Sequence, residues 1–97
     1  MSRRLIIRPD AGADIENITD WYDEQRPGLG DRFLDGLRSL LGRITDGPRQ
    51  FPEITRGVRR ALLLQFPYFV YFRLAGDDVV IFAVIHQRRH PDSWRSR

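Results

Sequence analysis

Residues Gly57 to Ile85 read GVRRALLLQFPYFVYFRLAGDDVVIFAVI, and their punctuation decides the fold. Gly57 to Phe66 is strand-like, with Arg59 and Arg60 near its start. Pro67-Tyr68 marks a turn, and Phe69 to Leu74 is rich in β-branched and aromatic residues. Gly76-Asp77-Asp78 is a second tight turn, and Val79 to Ile85 is a third strand. Strands joined by turns this short pair as an antiparallel meander. Alternation then sets Tyr71 and Arg73 on one face, with Val70, Phe72 and Leu74 on the other. Arg60 runs in phase with Leu62 and Leu64, so a twist or bulge near Arg59-Arg60 is expected.

Upstream, the apolar period changes from two to three and four. Leu5-Ile6-Ile7-Arg8 reads as a strand stopped by Pro9, and Asp10 is placed to cap a helix. Ala11, Ile15, Ile18 and Tyr22 share one helical face, while Asp14, Glu16, Asp20, Asp23 and Glu24 crowd the others. Arg26-Pro27-Gly28 breaks this helix, and Pro27 suits the start of the next. Leu29, Phe33, Leu37, Leu40 and Ile44 form a second stripe, closed by Asp46-Gly47-Pro48. Two such helices form an antiparallel hairpin that needs an apolar surface to cover. The order is β-α-α-β-β-β, an α+β fold with a helical hairpin on one sheet face. Residues 48–56 read as a loop, and the tail after Arg89 as irregular, with Trp94 packing it back onto the domain.

The composition narrows the function. Ninety-seven residues predict one domain spanning 1–97, with 41% hydrophobic and 30% charged residues. Cysteine is absent, which removes disulfides, zinc–thiolate clusters and thiol nucleophiles and suits a reducing cytoplasm. The run Val79 to Ile85 is far short of a membrane span, and Ser2-Arg3-Arg4 before Leu5-Ile6-Ile7 gives no signal peptide. A cytoplasmic protein without membrane partners is expected. All 16 basic side chains are arginine, so lysine bases and Schiff bases are excluded. Residues 1–48 hold 7 Arg against 9 Asp/Glu, net −2; residues 49–97 hold 9 against 4, net +5. A basic C-terminal half fits an acidic partner, or else a solvated arginine-rich surface.

No phosphate-cradling P-loop motif occurs, and no serine elbow. His86 and His90 stand four apart before Pro91 without a nearby acidic ligand; neither metal nor cofactor is expected. What remains is Arg59, Arg60, Arg73, His86, Arg88 and Arg89, with Tyr68 and Tyr71, drawn from neighbouring strands. Arginine forks bind phosphate oxygens and aromatics stack on bases, so a metal-free ribonuclease could be assembled from these parts. Each part also has a plainer use. His86 ends a strand and can satisfy backbone groups, and the tyrosines can be core residues with wet hydroxyls. Arg88 and Arg89 are adjacent cations at a strand end, which repel unless an anion faces them.

The ordered set of short motifs resembles the RelE/ParE family of bacterial toxins over nearly the whole chain. The set runs through Pro9-Asp10-Ala11, Asp14-Ile15, Trp21-Tyr22, Arg32-Phe33 and Gly57-Val58-Arg59-Arg60. It continues with Phe66-Pro67-Tyr68 leading into Val70-Tyr71, then His86-Gln87-Arg88-Arg89-His90-Pro91 with Trp94. The resemblance implies a first strand beside the last. It also implies a small cognate antitoxin, ParD-like or similar, whose disordered segment folds on the toxin in a hetero-oligomer. One branch of the family cleaves mRNA on the ribosome; the ParE branch is associated with inhibition of DNA gyrase. Tyr68 stands where the ribonuclease branch keeps an arginine, Arg88-Arg89 where some members carry a His-Tyr pair, and lysines are absent. These departures favour the ParE branch and a binding protein rather than an enzyme. Arg59, Arg60, Tyr71, Arg73, Arg88, Arg89 and Trp94 are then expected to meet target or antitoxin. The alternative is a ribonuclease centred on Arg60, Tyr68, His86 and Arg88; a relic that only binds its antitoxin is a third reading.

Overall fold

Proline sets the first boundary. In the computed structural model, which describes residues 3–97, strand β1 spans Leu5–Ile7 and helix α1 spans Pro9–Gln25. Ser2, part of the segment weighed above as a leader, lies outside the described residues. Asp10 does not cap the helix; the cap position is Arg8, and Asp10 lies in the first turn. The missing N–H and fixed φ of Pro9 already suit a first helical position, so the boundary moves back, and Asp10 still faces the positive end of the helix dipole.

Helix α2 spans Leu29–Asp46. Pro27 was expected to open it but stays in the connection, because Gly28 turns the chain at φ 90° in the left-handed region before the helix starts. The helices are clasped by a side chain: the Gly30 N–H donates to Asp23 Oδ1 at 2.8 Å. A first-turn amide of α2 is thus satisfied by a carboxylate from the last turns of α1. This explains an acid placed against its own helix dipole. It also requires glycine, since a Cβ on residue 30 would lie 2.7 Å from the Asp23 carboxylate.

The sheet has the order β1-β5-β4-β3-β2, with β1 parallel to β5 (Leu5 beside Val79, Ile7 beside Ile81) and the other neighbours antiparallel. Here β2 is Glu53–Thr55, β3 is Val58–Leu62, β4 is Tyr68–Ala75 and β5 is Asp78–His86. The apolar run to Phe66 is not all strand. Pairing ends at Leu62, and the Leu63 N–H donates to the Tyr68 carbonyl at 3.0 Å as the chain reverses ahead of Pro67. Leu64 is left 86% exposed. Tyr68 therefore opens β4 rather than sitting in the turn. The loop 48–56 holds a 3-10 turn, Pro48–Gln50, and the edge strand β2. Gly76, φ 62°, supplies the positive φ at the first central position of the two-residue β4–β5 hairpin.

The helices cover one face of the sheet. Phe33, Leu37, Leu40 and Ile44 of α2 and Ala11 and Ile18 of α1 pack on Ala61, Val70, Phe72, Val79, Ile81 and Val84. The other face carries a smaller cluster of Val58, Tyr71, Phe82, Ala83, Ile85 and Trp94. A bulge lets β5 serve both clusters. Tyr71 faces Ala83 but Phe72 faces Ile81, so Phe82 is the extra residue and joins Ala83 on the outer side. A second irregularity lies between Glu53 and Thr55, opposite Arg59 and Val58, on the partner strand of the site expected to be bulged.

Candidate functional site

The outer face joins arginines to aromatic rings. Alternation along β3 and β4 brings Arg60 and Arg73 to this side, with Phe69 and Tyr71 between and beside them. The Arg60 guanidinium lies 4.0 Å from the Phe69 ring centroid, and that of Arg73 lies 4.6 Å from Phe82. Trp94, in the 3-10 turn Ser93–Ser96, is buried and stacks on Tyr71 at 6.1 Å and 26°. Arg95 covers Trp94 in turn, 4.6 Å from a ring centroid. Each such contact contributes about 0.5–1 kcal/mol at an exposed site, and the flat guanidinium keeps its N–H edge free while its face is occupied. Among the described residues, Arg60 and Arg73 form no ion pair within 4.0 Å, so their charge is directed outward.

Arg59 turns the other way. Its Nη1 donates to the Phe51 carbonyl at 2.7 Å, tying the β2 loop to the sheet. The other candidates gather at the far end of β5. His86 lies edge-on to Tyr68, centroids 5.2 Å apart and 79° between planes. Its Nδ1 accepts the Arg88 N–H at 3.0 Å, and His90 Nδ1 accepts the Asp92 N–H at 3.1 Å, so both histidines shape their own turns. Arg88 and Arg89 are exposed and, among the described residues, unpaired. Burial pushes the Tyr22 and Tyr68 hydroxyls above the ordinary tyrosine value, and their proximity raises Tyr22 further.

The sheet thus divides the candidates. Arg60, Tyr71, Arg73 and Trp94 share the outer face, whereas Tyr68 and His86 lie with the helix-side residues. Arg60 is separated from Tyr68 and His86 by the thickness of the sheet. Two contributors had no role in the sequence reading of the site. Arg95 follows Trp94 directly, so its ring contact was readable from adjacency. Trp21, 52% exposed, lies off the Ala11-Ile15-Ile18-Tyr22 stripe, which is the mark of an aromatic the core does not use. Among the described residues no helix is long and apolar enough to cross a membrane.

Comparison with known proteins agrees with this architecture. The family described as the ParE toxin of the type II toxin-antitoxin system, parDE, matches residues 5–91. Toxin ParE2 of Mycobacterium tuberculosis, from two strains, is 26% identical over 94 residues, which is 96% of this chain and 90% of the relative. Among solved structures, a chain of the chromosomal ParDE TA system from P. aeruginosa superposes with a TM-score of 0.77 and 21% identity. The match covers 88% of this chain and 96% of that one, and is a likeness of fold.

Proposed function

The chain belongs to the ParE toxin family of type II toxin-antitoxin systems, and from that premise we propose that it inhibits DNA gyrase and is neutralised by a cognate antitoxin. The observation that carries the reading is the outer face, where Arg60 and Arg73, without ion pairs among the described residues, are each fixed on an aromatic ring. Held in place, these cations meet an acidic surface with little loss of side-chain freedom. An antitoxin segment folding over the same charges would compete with the target, which is how one surface serves both toxicity and neutralisation.

A ribonuclease centred on Arg60, Tyr68, His86 and Arg88 would need all four around one phosphate. Arg60 faces away from Tyr68 and His86, and the His86 Nδ1 is engaged by the Arg88 amide. These placements favour the gyrase reading.

Production of the protein without antitoxin tests the proposal. Growth arrest, loss of supercoiling by purified gyrase and intact cellular mRNA are expected, with recovery when the antitoxin is co-produced. Arg60→Glu with Arg73→Glu should abolish the gyrase effect while leaving the fold intact by circular dichroism. Ribosome-dependent mRNA cuts that vanish in His86→Ala would overturn the reading in favour of a ribonuclease. A protein with no effect on growth would mark a relic that only binds its antitoxin.

A further inference from the structure

Strand β3 is covered along only part of its β2 side. Strand β2 reaches it at Val58 and Arg59, and the Arg60 N–H donates to the Pro52 carbonyl at 3.4 Å. Leu62, two residues on, has the same phase, so its N–H and C=O point away from β4. Among the described residues no strand lies on that stretch of edge. Beside it, α2 and the β3–β4 connection enclose a groove of about 390 Å³, with Arg32, Gly36 and Leu40 on one wall and Leu62, Leu64 and Phe66 on the other. Leu62 is 45% exposed and Leu64 is almost wholly so, two large apolar side chains that neither core cluster uses. The rim carries both signs. Arg32 and Arg43 have no ion-pair partner among the described residues, and Asp35 meets only Arg38, at 3.2 Å in open solvent, where such a pair contributes little.

We infer that this surface docks a second copy of the chain about a two-fold axis at Leu62. The surface carries both halves of such a contact. An antiparallel strand edge is its own complement under a two-fold rotation, so pairing the two open edges closes a reciprocal pair of N–H···O bonds between the Leu62 residues. Each Leu64 then stands next to a groove that can take it, and Asp35 of one copy can meet an unpaired arginine of its partner. A foreign acidic segment would match the two arginines but not Asp35, whereas a second copy matches both signs. The inference does not rest on the gyrase reading.

Sedimentation velocity of the purified protein, from micromolar to near-millimolar concentration, should show its mass rising toward twice that of the chain. Hydrogen exchange at the Leu62 amide should slow over the same range. Leu64→Glu should raise the dimer dissociation constant by about tenfold or more. Gly36→Met should do the same by filling the groove. A Cβ at residue 36 meets no atom within 4 Å, so this variant keeps its fold, which circular dichroism checks. Ile7→Glu, at an exposed position of the opposite edge strand β1, should leave the constant within about twofold. A chain that stays monomeric throughout overturns the inference and leaves the groove to another protein. So does a dimer that tolerates both Leu64→Glu and Gly36→Met, or one that is lost in Ile7→Glu and leaves the Leu62 amide unprotected.

Discussion

Arg97 grips Asp14 with both terminal guanidinium nitrogens, at 2.7 and 2.9 Å, across 83 residues of chain. The same carboxylate accepts the Val84 N–H at 2.9 Å. Strand β1 pairs with β5 only as far as Ile81, so Asp14 satisfies an edge amide that no strand reaches. Asp14→Ala should therefore cost about 1–3 kcal/mol, because it strands a buried amide as well as a cation. Arg97→Ala leaves the amide satisfied and should cost no more than about 1 kcal/mol. Urea denaturation of both variants checks the ranking; equal losses would show that the amide contributes nothing.

The clasp between the helices gives a change of sign. Gly30→Ala in the native background pushes the Asp23 carboxylate off its amide, and loss of a cap costs about 0.5–2 kcal/mol. Asp23→Ala should cost a similar amount by itself. Once Asp23 is alanine, the added methyl meets no carboxylate, and Gly30→Ala should stabilise by up to about 1 kcal/mol through helix propensity. A double-mutant cycle in urea reads the coupling, and additive effects would dissolve the proposed steric origin.

Such relationships show where sequence reading stops. The stripes of α1 and α2 and the alternation of β4 were legible because one buried face imposes a period. The family was legible in the ordered motifs, and the matching family model agrees with them. The strand ending at Leu62 was not: Leu62, Leu63 and Leu64 carry one hydropathy but three environments, and the backbone reversal before Pro67 decides among them. The Phe82 bulge was equally silent, since an apolar run on a strand buried on both sides has no polar residue to reveal a change of phase. The division of Arg60 from Tyr68 follows from parity along β3 and β4, yet the end of β3 had to be known first.

The half-buried tyrosine pair predicts alkaline sensitivity. Burial holds the Tyr22 and Tyr68 hydroxyls above the ordinary value of 10.0, so the folded chain keeps these protons at a pH where the unfolded chain has lost them. Their contribution to stability is complete below about pH 10 and is lost as the pH rises through the folded-state values. Unfolding free energy should fall as the pH rises above the ordinary tyrosine value of 10.0, and Tyr22→Phe with Tyr68→Phe should flatten that fall. Absorbance at 295 nm during a pH titration should show late ionisation that disappears in the double variant.

Trp94 separates anchoring of the tail from stability of the sheet. Its ring is 8% exposed, stacks on Tyr71 and meets Phe82 edge-on at 6.3 Å. In a core, Trp→Ala costs about 3–5 kcal/mol. Here the tail can detach alone, so the global loss is limited to the free energy with which it docks, expected below about 3 kcal/mol. Trp94→Ala should accordingly speed tryptic cleavage after Arg95 far more than it lowers the urea midpoint. It should also free Tyr71 and weaken the proposed inhibition of gyrase, because Tyr71, between Arg60 and Arg73 on the outer face, loses the ring stacked on it. Trp94→Phe should restore most of the protection by packing the same gap with a smaller ring. Equal protease sensitivity in the native, phenylalanine and alanine forms would show that the Asp14–Arg97 pair alone holds the tail.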